Sequence, residues 1–190
     1  MKTVNLMIVG VGGQGSLLAS KLLGALLLDE GYDVKVSEVH GMSQRGGSVV
    51  TYVRFGDKVY SPLVDLGEAD FIVSFEKLEG ARYIDNLRPG GRIIVSTQQI
   101  DPMPVITGAA EYPTDILEQY AAQGVQIDAF DALTLAEKAG TVRAVNLVLM
   151  GRLARYLEIP YEKWLAAIER IVPERFVAMN KEAFALGYNS

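Results

Sequence analysis

Hydrophobic positions fall along the chain in short runs separated by glycine-rich or polar breaks, the pattern of a sheet with helical crossovers. Val4 to Val9 is nearly continuously apolar through Leu6, Met7, Ile8 and Val9, which predicts a strand buried on both faces. Gly10-Val11-Gly12-Gly13-Gln14-Gly15 breaks that run, and Ser16 to Leu28 predicts a strongly apolar helix ending near Asp29-Glu30-Gly31. Val34 to Val39 predicts a second strand, which completes a strand–helix–strand unit of the length of a right-handed parallel crossover. The start is thus Rossmann-like.

The alternation then changes. His40-Gly41-Met42-Ser43-Gln44-Arg45-Gly46-Gly47 is polar and glycine-rich, while Ser48 to Phe55 is β-branched and alternating. Gly56-Asp57-Lys58 is a turn signal before Val59-Tyr60, so a hairpin here puts at least one antiparallel strand in the sheet. Further strands are predicted at Phe71 to Phe75, Arg92 to Ser96 and Val125 to Phe130, with a short helix running to Leu87 and others over Thr114 to Gln123 and Asp131 to Ala139. Ile100 to Glu111, with Pro102 and Pro104, reads as irregular. From Thr141 the pattern is helical through Leu157, Tyr161 to Ile171 and Glu174 to Leu186, with Pro160 and Pro173 at the helix starts. These elements predict one three-layer α/β domain over residues 1–190, with a mixed, mainly parallel sheet and a helical C-terminal third.

Composition narrows the chemistry. Of 190 residues, 49% are hydrophobic, enough for a sizeable core, and the mean hydropathy of +0.18 leaves apolar surface for a partner to cover. A net charge of −5 argues against binding a nucleic-acid backbone. With no cysteine, the chain has no thiolate zinc site, cysteine nucleophile or cysteine-ligated cluster, which fits a reducing cytoplasm. His40 is the lone histidine, so a multi-histidine metal site is excluded too. No run predicts a membrane span, and the N-terminal apolar run lacks a signal-peptide cleavage context.

Two loops carry the candidate chemistry. Gly10, Gly12 and Gly15 satisfy G-x-G-x-x-G between a strand and a helix, where missing side chains and free N–H groups favour close approach of an anion. Glu38, at the end of the second strand, stands where a ribose-binding acid is expected, so an NAD(P)-dependent dehydrogenase is one reading. A compact turn with no ligand is the other, and Gln14 can serve either a ligand or the helix start. In the second loop, Ser43, Gln44 and Arg45 sit beside Gly46 and Gly47; the guanidinium can hold a carboxylate or phosphate in two parallel bonds, or pair within the chain. His40 can act as acid/base or bridge loop backbone. Asn146, in an almost wholly apolar helix, needs a core hydrogen-bond partner; Gly151 allows close helix packing, and Tyr161 and Trp164 are core or interface anchors.

The two loops together, Gly10-Val-Gly-Gly-Gln-Gly15 and Glu38-Val-His-Gly-Met-Ser-Gln-Arg-Gly-Gly-Ser-Val49, resemble the gamma subunit or domain of the 2-oxoacid:ferredoxin oxidoreductases, the small subunits of indolepyruvate enzymes above all. The likeness continues through Tyr60-Ser61-Pro62, Pro89-Gly90-Gly91, Ala144-Val145-Asn146, Val172-Pro173-Glu174-Arg175 and Asn180-Lys181-Glu182-Ala183-Phe184, and the second loop is its most specific part. The resemblance implies a cytoplasmic complex that oxidatively decarboxylates a 2-oxoacid to acyl-CoA, CO2 and reduced ferredoxin. It implies that thiamine diphosphate and iron–sulfur clusters lie on a large partner subunit, coenzyme A being a co-substrate. This chain would be inactive alone, a hetero-oligomer subunit that in isolation can dimerise, reaching ferredoxin only through the complex. Its glycine loops would face the partner near the active-site channel, with Arg45 and the loop amides recognising an anion of coenzyme A or a cofactor phosphate. A purely structural or regulatory subunit is the non-enzymatic alternative.

Overall fold

The computed structural model describes residues 3–39 and 46–190. Its centre is β1 (Val4–Val11), whose Leu6, Met7, Ile8 and Val9 are fully buried because helices cover both faces of the sheet. Strand periodicity divides them. Leu6 and Ile8 join the core formed with α1 (Ser16–Asp29) and the C-terminal helices, whereas Met7 and Val9 face the smaller core on the other side. Three layers follow, as predicted.

Six strands lie in the order β2-β3-β1-β4-β5-β6. β4 (Ala69–Ser74), β5 (Leu87–Ser96) and β6 (Gln126–Phe130) run parallel to β1 on one side. On the other side β3 (Ser48–Gly56) pairs antiparallel with β1, Val4↔Phe55 through Val11↔Ser48, and β2 (Asp33–Val39) pairs antiparallel with β3 at the edge. The antiparallel strand expected from the sequence is therefore present, but it pairs with β2, not with Val59-Tyr60. Those two residues are not a strand; the Val59 amide donates to Asp33 Oδ2 at 2.9 Å, which folds the chain back under the end of β2. Bonds donated by the Lys35 ammonium and the Val59 amide hold the Asp33 carboxyl below its usual range.

α2 (Lys77–Arg82) and α4 (Ile116–Ala122) cover the smaller core, whose buried members include Ile116 and Tyr120. The segment read as irregular contains one short helix, α3 (Met103–Ile106). α5 (Ala132–Lys138), α6 (Val145–Ala154), α7 (Tyr161–Ile171) and α8 (Glu174–Asn189) pack on the larger core with α1. Pro160 and Pro173 occupy the N-caps of α7 and α8 as expected. Trp164 is fully buried and stacks on Phe184 at 5.5 Å, and Tyr161 meets Phe184 and Tyr188, so both aromatics are core anchors. α6 and α8 cross in backbone contact: a Cβ on Gly151 would lie 2.1 Å from Phe184 O, and one on Gly187 1.9 Å from Val148 O.

α1 and α2 leave the sheet on opposite faces, so the connections from β1 and β4 diverge. That divergence is the switch point where open α/β sheets form a crevice beyond their carboxyl ends. Among the described residues, no helix is long and apolar enough to cross a membrane.

Candidate functional site

The chain itself fills much of this crevice. The Gln14 side chain folds back so that its Oε1 accepts from the Val11 amide at 2.8 Å, while Nε2 donates to Phe75 O at 3.2 Å and Gln98 Oε1 at 3.1 Å. One amide thereby joins the ends of β1, β4 and β5. Gly10 permits it, since a Cβ there would come within 2.9 Å of both Gln14 Oε1 and Phe75 Cβ. At the far end of the loop Gly15 is the N-cap of α1 with φ of 90°, a left-handed conformation that suits glycine. A Cβ there would also meet Asn146 Nδ2 at 2.8 Å. Asn146, 3% exposed, donates to Gly15 O at 3.2 Å and accepts from the Leu147 amide at 2.9 Å, the core hydrogen bonding expected of it. Gly10 and Gly15 of the fingerprint thus serve internal packing.

Gly12 has another duty. Its amide donates to Gly47 O at 2.9 Å, which ties the first loop to the second. This bond, with exposed Gly13 (φ 102°) and Gly46 (φ 103°) on either side, sets the described ends of both loops along one rim at the carboxyl end of the sheet. His40, Ser43, Gln44 and Arg45 lie outside the described residues. Beneath the rim is an open cleft of about 290 Å³ between the start of α1, the end of β2 and the start of β3. Ser16, Glu38 and Thr51 are its polar lining, and Leu17, Val39 and Val49 its apolar wall. α1 has no side-chain cap and no acidic residue in its first turn, and the Glu38 carboxylate lines the cleft beside its start.

Glu38 does not stand as in a dinucleotide-binding crevice. β3 is interposed between β2 and β1, which puts Glu38 opposite Thr51 and two strands from the glycine loop. Its Oε1 accepts from Ser20 of α1 at 2.7 Å. Among the described residues, Gln14 is folded onto Phe75 and Gln98 and Glu38 is bonded to Ser20, so neither is placed as in the dinucleotide-binding arrangement that the fingerprint suggests.

Two participants had no signal in the sequence. Gln98 became significant only when the fold brought it to Gln14. Glu76, 1% exposed, follows β4 on the same rim. Its Oε2 caps α2 by accepting from the Glu79 amide at 2.8 Å; its Oε1 accepts from the Ile100 amide at 3.3 Å and from the Tyr112 hydroxyl. Burial, then the bond to Glu76, raises the Tyr112 hydroxyl far above the usual phenol range. Burial likewise raises Tyr120, whose hydroxyl donates to Lys77 O at 2.8 Å. Both phenols stay protonated donors.

Among the described residues no group of three or more His, Asp or Glu could hold a metal ion, and the chain has no thiolate for a cluster. Without cysteine the chain cannot ligate an iron–sulfur cluster through thiolates.

Comparison with known proteins places this geometry. The model of the pyruvate ferredoxin/flavodoxin oxidoreductase family matches residues 5–190. An indolepyruvate oxidoreductase subunit, IorB, of Thermococcus kodakarensis is 45% identical over 192 residues, covering 98% of this chain and 95% of that protein. The gamma subunit of a keto/oxoacid ferredoxin oxidoreductase from Geobacter sulfurreducens shares the fold, with a TM-score of 0.72, 22% identity and coverage of 98% of this chain and 96% of that one. So does a 2-oxoglutarate:ferredoxin oxidoreductase from Magnetococcus marinus solved with 2-oxoglutarate, coenzyme A and succinyl-CoA, with a TM-score of 0.72 and 19% identity over 100% of this chain and 31% of that one.

Proposed function

Because this chain belongs to the pyruvate ferredoxin/flavodoxin oxidoreductase family, we propose that it is the small subunit of an indolepyruvate-type 2-oxoacid:ferredoxin oxidoreductase. The complex converts an aryl 2-oxoacid and coenzyme A to acyl-CoA and CO2 and passes two electrons to ferredoxin. Thiamine diphosphate and the clusters reside on the large subunit; this chain, without cysteine, offers no thiolate to a cluster. The role of this chain is to bind and orient coenzyme A and to complete the complex in the cytoplasm.

The observation that carries this reading is the Gly12–Gly47 bond, which joins both glycine loops into one rim over the cleft at the start of α1. Backbone N–H groups of the loop and the positive end of α1 suit a phosphate. Leu17, Val39 and Val49 offer an apolar wall for the uncharged part of the ligand. Arg45, two positions before Gly47 in sequence, supplies a planar cation to the same loop. The chain thereby holds the co-substrate, while bond breaking and electron transfer occur on its partner.

The test is steady-state turnover of the assembled complex carrying Arg45→Ala or Arg45→Lys. KM for coenzyme A should rise about tenfold or more with alanine and by less with lysine, which keeps charge but not the fork. KM for the 2-oxoacid should stay unchanged. Wild-type KM for coenzyme A in both variants would remove Arg45 from the site.

A further inference from the structure

The second feature of the rim is the segment between β5 and α4. Residues 101–111 project from the carboxyl end of the sheet beside the glycine loops, joined to them through Gln98 and Gln14. Met103 and Ile106, one turn apart on α3, are each 66% exposed. Tyr60 and Leu66 are more exposed still, but Met103 and Ile106 stand together one helical turn apart, which makes a paired apolar contact point.

The protrusion is built to keep its shape. Ile100 at its entry and Tyr112 at its exit are fastened to the same oxygen of buried Glu76, and the Leu78 amide donates to the Tyr112 hydroxyl at 3.2 Å. Within it, Pro104 O accepts from the Ala109 and Ala110 amides at 2.8 and 3.0 Å, and Thr107 Oγ1 donates to Met103 O at 2.9 Å. Pro102, Pro104 and Pro113 restrict the backbone further. A segment ordered before binding loses little entropy when it docks.

Charge identifies what it docks against. No lysine or arginine occurs between Arg92 and Lys138, and Asp101, Glu111, Asp115 and Glu118 are exposed along and after the segment; the Lys77 ammonium lies 5.5 Å from the centre of the Tyr112 ring at its exit. A second copy would meet this acidic surface with another, and an acidic electron carrier would be repelled. The complementary surface is an apolar recess bordered by lysine or arginine.

We infer that residues 101–111 are a rigid docking finger that seats Met103 and Ile106 in such a recess on the large subunit. This inference rests on the subunit reading above. Glu76 acts as a positioning residue that fixes both ends of the finger. Because finger and glycine loops share one rim, seating the finger sets the coenzyme A cleft against the partner.

The test uses full-length chain titrated onto purified large subunit under anaerobic conditions, with dye reduction by the 2-oxoacid and coenzyme A as a parallel readout. Met103→Asp/Ile106→Asp should weaken binding at least about tenfold. Asp101→Lys/Glu111→Lys should weaken it at low salt, the difference closing as salt rises to about 0.5 M. Unfolding midpoints of both variants are measured beside wild type, and if the apolar pair does not fold the charge pair carries the test. Wild-type affinity in the folded variants would overturn the finger while leaving the subunit reading intact, because wild type still binds and supports turnover. Failure of wild type itself to bind would overturn the subunit reading and the finger with it. Variants that alter only self-association would assign the tip to a second copy and overturn the inference.

Discussion

Replacing Gln14 with alanine tests whether the glycine fingerprint serves the fold more than a ligand. The substitution removes three hydrogen bonds, from Val11 N–H, to Phe75 O and to Gln98 Oε1. At about 1 kcal/mol net for each bond, the gross loss is about 3 kcal/mol. Release of the ordered glutamine side chain returns about 1 kcal/mol, and the net destabilisation is therefore about 2 kcal/mol. For a chain of this size that is a fall in Tm of about 4–8 °C. Gln14→Glu sharpens the test, since the new carboxylate keeps an acceptor for Val11 but points its other oxygen at two acceptors. Its folded pKa should lie above the unfolded value of about 4.3, so the variant gains stability relative to wild type as pH falls toward 4 and loses it as pH rises through the folded pKa. Urea unfolding at several pH values measures both, with an unchanged m showing that only stability has moved. A loss below about 0.5 kcal/mol in Gln14→Ala would refute the argument and return Gln14 to the pool of ligand contacts.

Three other outcomes follow from particular contacts. Gly151→Ala drives a methyl to 2.1 Å from Phe184 O, so α6 and α8 must part. The roughly 3 kcal/mol of overpacking outweighs the roughly 1 kcal/mol gained in helix propensity, which a urea midpoint will show. Asp131 caps α5 by accepting from the Thr134 amide at 2.9 Å, and that bond first, then the Thr134 hydroxyl, lowers its pKa. Because the folded pKa is depressed, the cap's contribution is present above about pH 4 and is lost as pH falls through the folded value. Asp131→Ala should thus cost about 1 kcal/mol at neutral pH and progressively less in acid, measured by paired pH–stability curves. Glu76→Ala leaves the Glu79 and Ile100 amides and the Tyr112 hydroxyl without their acceptor; hydrogen exchange across residues 101–111 should quicken at least about tenfold, whereas unchanged protection would show that the finger holds itself.

Much of this architecture is legible in the chain because buried parallel strands are nearly continuous apolar runs. Val4 to Val9 needs no other clue, and Pro160 and Pro173 mark helix starts by their own stereochemistry. β5, however, begins at Leu87, where the pattern places a helix end and a turn before a strand from Arg92. The pairing of β3 was harder. Gly56-Asp57-Lys58 has hairpin composition, but Asp33 captures the Val59 amide and the antiparallel partner comes from the other side, across the second glycine loop. Period-2 patterning defines a strand without naming its neighbour. The glycine fingerprint was visible and its purpose was not, since Gln14 and Asn146 acquire roles only when Phe75, Gln98 and Gly15 are brought beside them. Beyond its local cap of α2, the part Glu76 plays for residues 101–111 gave no signal, because those two donors stand 24 and 36 positions further along. The specific residue string of the second loop, by contrast, pointed to the family that the whole-chain comparison established.

The central claim is that this chain works as one part of a ferredoxin-linked 2-oxoacid oxidoreductase. Its most direct test is anaerobic affinity purification of the tagged chain from its own cells, followed by assay of the eluate for viologen dye reduction. A large, cysteine-rich partner is expected in the eluate, with reduction that needs both an aryl pyruvate and coenzyme A. A chain that elutes alone, with no reduction from any 2-oxoacid, would contradict it.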